Sequence, residues 1–149
     1  MKESLLGTAT HRVSHTAAKV PRILGSARSA GASNTEAVRV LALSMLVLLE
    51  AARRSGGRPR RNNAVRHFAW QALLAARHGT AVAEGVAAAN EAGSTDAQDS
   101  AIDERNNAAG RAWASTHPAE LAGVPLSQAV RRAFAEAIRQ WDAGELARR

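Results

Sequence analysis

The alternation of apolar and polar positions divides this chain into helices. From Asn34 or Thr35 the chain runs through AVRVLALSMLVLLEAARR, apolar from Val40 to Leu49 except at Ser44, and Ser55-Gly56-Gly57 stops it. Glu36 in the first turn suits a helix start. The apolar run is only ten residues long, well short of the roughly 20 needed to cross a bilayer, so it reads as a core helix. After the basic turn SGGRPRR (Ser55–Arg61) comes NNAVRHFAWQALLAARH, Asn62 to His78, which carries two stripes at helical spacing. Val65, Phe68, Ala69, Ala72, Leu73 and Ala76 form one; Asn63, His67, Trp70 and Leu74 form the other. A helix with apolar mass on both sides belongs in the middle of a bundle. That location removes His67 from water and demands a partner for it.

Gly79 suits the C-terminus of that helix, and Thr80 offers a cap for the next, AVAEGVAAANEA, which ends near Gly93. Ser94-Thr95-Asp96 predicts another start, leading into DAQDSAIDERNNAAGRAWAS. There the patterning inverts: Asp96, Asp99, Asp103, Asn106, Asn107 and Gly110 share one broad stripe, with Gly110 admitting a neighbouring backbone. His117-Pro118 breaks the chain, and a last amphipathic helix is expected over Leu126–Arg148, with Val130, Phe134, Ala137, Ile138 and Trp141 inward. These elements predict an all-α fold: a single compact bundle of about five to six helices around the two-faced helix Asn62–His78. Residues 1–34 mix Ser, Thr, Gly and basic side chains around Pro21 and read as a basic, mobile or loosely docked arm, with a short helix conceivable over Leu5–Val20; residues 35–149 form the helical domain.

Composition sharpens this picture in two places. Thirty-five Ala and no Tyr favour helices packed closely through small side chains. The net charge of +7 is unevenly spread: residues 1–61 carry 11 Lys/Arg against 3 acids, and residues 62–149 carry 9 Arg against 10 acids. An anionic partner (nucleic acid, a membrane surface or an acidic protein) therefore belongs with residues 1–61. Arg outnumbers Lys 18 to 2, which fits the codon usage of a GC-rich genome and weakens the inference to nucleic acid. The absence of Cys excludes disulfides, thiolate metal sites and a thiol nucleophile. It leaves the compartment open, with cytoplasm slightly favoured over secretion.

Three consecutive helices offer His67, Glu91 and the row Asp99, Asp103, Asn107. Imidazole and carboxylates projecting inward from neighbouring helices are how bundle metal sites are built, and they equally suit acid–base chemistry. His67, Asp103 and Glu91 are the candidate catalytic residues, and the same three are the candidate ligands of a divalent metal. Arg66, Asn106, Asn107 and Arg111 are the candidate substrate-binding residues. Against this stands the bland alternative, in which His67 and Asp103 form a satisfied core contact without chemistry. Trp70, Trp113 and Trp141 read as core filling. His11 and His15, four apart, lack a third ligand nearby. Zinc-protease, nucleophile-elbow and dinucleotide motifs are absent. A helix-turn-helix over Ala119–Phe134 is disfavoured by its short first helix and by Pro125 in the turn.

Asn63-Ala64-Val65-Arg66-His67-Phe68-Ala69-Trp70 and Asp103-Glu104-Arg105-Asn106-Asn107-Ala108-Ala109-Gly110-Arg111 resemble the pattern of an uncharacterised bacterial domain-of-unknown-function family, N/D-A-x-R-H-x-x-W, then His-Glu, then D-x-x-N-N-x-x-G-R. The closing AIRQWDAGEL resembles the family's last helix, so the likeness covers residues 62–146. The chain departs from the pattern twice, with Asn90-Glu91 for His-Glu and Arg105 where a His often precedes the Asn pair. Both departures remove a potential imidazole ligand. The resemblance brings no activity of its own, but its association with secreted and effector-like proteins raises a small, metal-assisted hydrolase as one expectation. The other is a non-catalytic helical module that binds through its basic arm.

Overall fold

Pro59 opens the central helix. Proline lacks the N–H that a first helical position does not need, and its fixed φ already suits a helix. The computed structural model, which describes residues 19–148, therefore starts this helix three residues before Asn62, inside the stretch expected to be a basic turn. The described elements are α1 (residues 19–29), α2 (Asn34–Arg53), α3 (Pro59–His78), α4 (Thr80–Glu91), α5 (Ala97–Thr116), α6 (Pro118–Leu121) and α7 (Leu126–Asp142). The fold is all-α, as the patterning predicts.

α3 is the hub, packing against α2, α4, α5, α6 and α7. Both of its predicted stripes are buried, with Phe68, Leu73 and Leu74 inaccessible and Val65 and Trp70 nearly so. The Trp70 indole donates to Ser44 Oγ at 2.8 Å, which explains the lone hydroxyl in the apolar run of α2. Gly79, at φ 90°, ends α3 and turns the chain directly into α4. Thr80 therefore occupies the first helical position and not the expected cap. Asp96 caps the start of α5, its carboxylate accepting from the Gln98 and Asp99 amides at 3.0 Å. It crosses α3 closely at Gly110: a Cβ there would overlap the Phe68 carbonyl oxygen and lie 3.1 Å from the Ala72 amide nitrogen.

Three further features differ from the sequence expectation. α7 ends at Asp142, because Gly144 (φ 77°) reverses the chain and Leu146 is buried. Asn106 then fixes this C-terminal return, accepting from the Ala147 amide at 2.8 Å and donating to its carbonyl at 3.2 Å. α6 is a single turn that Pro118 starts, too short to leave a periodic signature. Residues 19–29, assigned by sequence to the arm, are helical and bury Ile23 and Ala27 in the core. The conceivable helix over Leu5–Val20, with His11 and His15, lies outside the described residues apart from 19 and 20.

Candidate functional site

The polar side chains of α3 and α5 form a ladder. Asn63, His67 and Gln71 recur every four residues on α3, and Asp103, Asn107 and Arg111 do so on α5. Each α3 residue meets the α5 residue 40 positions later. Asn63 Nδ2 donates to Asp103 Oδ1 at 2.6 Å, His67 Nδ1 lies 2.9 Å from Asn107 Oδ1, and Arg111 donates to Gln71 Oε1 at 2.7 Å. A constant offset with the same sign means that α3 and α5 run parallel, with α4 returning between them. The four-residue step is what stacks the rungs on one face.

His67 is the chemically distinctive member. It is 3% exposed. Burial first, and the neighbouring Arg66 guanidinium second, push its pKa down to about 4, so the ring is neutral near pH 7. Asn107 fixes the tautomer: its Nδ2 turns to Glu104 Oε2 (3.4 Å), which leaves Oδ1 to accept from His67 Nδ1–H. The Nε2 lone pair then faces Asp103 Oδ2 at 3.3 Å. Two acceptors at that separation need a positive charge between or beside them. Part of it comes from Arg66, which approaches Nε2 at 3.4 Å and donates to Asn63 Oδ1 at 2.5 Å. Burial, the largest influence on Asp103, raises its pKa, while the Asn63 hydrogen bond and the Arg66 charge oppose that.

Glu91 completes the cluster from the end of α4. One donor atom each from His67, Glu91 and Asp103 lie within 4.8 Å of one another. One imidazole nitrogen and two carboxylates suit zinc or manganese, and three protein ligands leave room for water or substrate. The hydrogen bond from the far ring nitrogen to Asn107 is the orienting contact that metal-bound histidines ordinarily have. Two cations border the cluster. Arg66 is half-buried, and burial lowers its pKa against the pull of Asp103 and Glu91. Lys19, at the near end of α1, has its pKa lowered by partial burial and then by Arg66. A groove of about 310 Å³ opens on the outer side of Asp103 and Asn63, with Arg60, Asp99, Trp141 and Arg148 around its rim.

The sequence-predicted residues are thus distributed unevenly. His67, Glu91, Asp103 and Arg66 converge, and Asn107 touches the group through His67. Asn106, expected to hold substrate, spends both polar atoms on Ala147, and Arg111 is committed to Gln71 and Glu104. Asn107, also expected to contact substrate, is fully buried with both ends engaged, so it orients His67 instead. Sequence reading missed Gln71 and Glu104 as network members and Lys19 as a neighbour. The first was legible as the next four-residue step after Asn63 and His67. Lys19 had no such signal, because only tertiary packing brings α1 here.

Fold and site together define an all-helical bundle with an internal His/Glu/Asp cluster in its α3–α4–α5 layer. Residues 35–140 match the family described as a domain of unknown function, DUF6973, and the chain belongs to that family. No curated protein and no solved structure matches it.

Proposed function

We propose that this chain is a metal-assisted hydrolase built on His67, Glu91 and Asp103. The observation that carries the reading is the convergence of the three donor atoms within 4.8 Å around a histidine whose ring is neutral and whose Nε2 lone pair faces Asp103, with Arg66 beside it. A histidine already neutral at pH 7 needs no deprotonation to bind a cation, which removes the usual competition from its own proton. A divalent ion bound there would act as a Lewis acid on a carbonyl or phosphoryl oxygen and would acidify a coordinated water. The chain's own residues do the rest. Asn107 orients His67, Asn63 orients Asp103, and Glu91 offers the second carboxylate as ligand or base. Arg66 and Lys19 supply fixed positive charge for an anionic substrate or a developing oxyanion.

The test is a hydrolysis panel of carboxylic and phosphoric esters and amides, run on chelated protein and again after adding zinc or manganese. The reading expects a metal-dependent turnover that Glu91→Gln and Asp103→Asn each reduce by about 10²-fold or more while helicity is retained. Turnover that those folded variants leave intact would reject it.

The basic turn favours a second reading, a binding module without chemistry. Arg53, Arg54, Arg58 and Arg60 are exposed together at the α2–α3 junction. This reading expects anionic-polymer binding that falls steeply with salt and is indifferent to His67.

A further inference from the structure

Two cations face the two carboxylates of the His67/Glu91/Asp103 cluster, and two different helices bring them there. Arg66, half-buried on α3, directs its Nη2 at His67 Nε2 (3.4 Å) and at Asn63 Oδ1. Lys19 arrives from α1, which runs antiparallel to α4. Ala30 Cβ lies 3.4 Å from where a Cβ on Gly85 would stand, and Arg22 Nη1 lies 2.7 Å from where one on Gly93 would stand. Lys19, three residues before Arg22, is thereby set at the end of α4 that Glu91 closes. It feels the attraction of Glu91 and Asp103 and the repulsion of Arg66, and Arg66 feels the same two carboxylates. With the His67 ring neutral, two positive and two negative side chains cancel, which is how a half-buried polar cluster is tolerated without an ion. The next charges out, Arg22 beside Lys19 and Asp99 beside Asp103, are again one of each sign.

A divalent ion on His67, Glu91 and Asp103 upsets that balance. It takes the Nε2 lone pair that Arg66 approaches, and it uses both carboxylates, so Arg66 and Lys19 lose the anions that neutralise them. The cluster then holds a surplus of two positive charges beside a half-buried guanidinium, where water screens poorly. We infer, resting on the metal site proposed above, that a dianion matches this surplus: the substrate class is a phosphate monoester, and the metal ion and the phosphoryl group bind cooperatively. A phosphoryl group carries roughly two negative charges near neutral pH and offers three terminal oxygens. One oxygen fits the position that three protein ligands leave open on the ion, and the others fit the Arg66 guanidinium and the Lys19 ammonium. An amide or a carboxylic ester brings no charge, and a carboxylate brings one, so neither cancels the surplus. In the hydrolysis the water oxygen bonds to phosphorus, the ester P–O bond breaks, and a proton from the water passes to the departing alkoxide, giving inorganic phosphate and an alcohol. The coupling is reciprocal, so the ion raises affinity for the dianion by the factor that the dianion raises affinity for the ion.

The experiment is calorimetric titration of the chelated full chain with zinc and with manganese near pH 8, in plain buffer, in excess phenylphosphonate and in excess acetate. Phenylphosphonate is a dianion that presents the three phosphoryl oxygens and is not hydrolysed; acetate is the monoanion control. Phenylphosphonate is expected to raise the metal affinity about tenfold or more, and acetate less than about twofold. Capture of free ion by phenylphosphonate in solution works against this result and cannot produce it. Lys19→Gln, a change at an exposed position with circular dichroism as the fold control, should tighten metal binding in plain buffer and remove most of the increase. Metal binding that phenylphosphonate leaves unchanged, that acetate enhances equally, or whose enhancement survives intact in Lys19→Gln overturns the phosphate-monoester assignment while the metal site stands. No saturable metal binding, with or without phenylphosphonate, overturns both.

Discussion

Replacing His67 by Gln removes a titrating group from the core while keeping a side chain able to donate to Asn107. The folded ring has a pKa of about 4, against an ordinary 6.5 when the chain is unfolded. The folded value is the lower one, so between these two pH values the unfolded state binds the extra proton. Stability is therefore complete above pH 6.5 and is lost as pH falls towards 4. With these two values linkage predicts a loss of about 2 kcal/mol by pH 5, rising to about 3 kcal/mol below pH 4. Asp103 acts in the opposite sense. Its raised pKa lets the folded state take a proton first, which adds stability as pH falls through that raised value. Asp103 Oδ2 lies 3.3 Å from the ring, so the two titrate together and the difference between the proteins reports His67 with its coupling to Asp103. The assay is urea unfolding with EDTA at pH 7.5 and pH 5. The wild type should lose about 2 kcal/mol more than His67→Gln over that interval. Parallel losses would mean that His67 titrates alike folded and unfolded, which would refute the dry, neutral ring on which the site depends.

Gly110→Ala should cost about 3 kcal/mol in denaturant unfolding, because the added methyl meets the backbone of Phe68 and Ala72 and not a movable side chain. Asn106→Ala should cost about 1–2 kcal/mol and expose the segment after Asp142 to proteolysis, since it cuts both bonds to Ala147. Arg66→Gln should tighten metal binding, by removing a cation that approaches His67 Nε2, and weaken turnover of anionic substrates; a parallel fall in both would assign Arg66 to packing alone.

Much of this was legible because helical spacing is a local property. The two stripes of α3, the inverted patterning of α5 and the close approach at Gly110 follow from steps of three and four residues. The constant offset of 40 that turns these stripes into rungs does not, for it depends on the lengths of α3, α4 and their tight turn at Gly79. Without it, Asn106 and Asn107 look equivalent. In the fold one faces the returning C-terminus and the other His67. Reading α7 through to Arg148 failed for a related reason: amphipathic periodicity continues past Asp142, but Gly144 and the anchoring of Ala147 by Asn106 outweigh it. The start of α3 at Pro59 was missed because the basic residues around the proline suggested a turn.

The proposed site stands or falls on whether His67, Glu91 and Asp103 hold a metal ion. It is tested most directly by calorimetric titration of the chelated full chain with zinc and with manganese near pH 7.5, alongside Glu91→Gln and Asp103→Asn. One ion per chain is expected for at least one of the two metals, with affinity reduced about 10-fold or more in each variant. Affinity should also fall as pH drops and Asp103 takes up its proton. No saturable binding in the wild type, or equal binding in both variants, would contradict it.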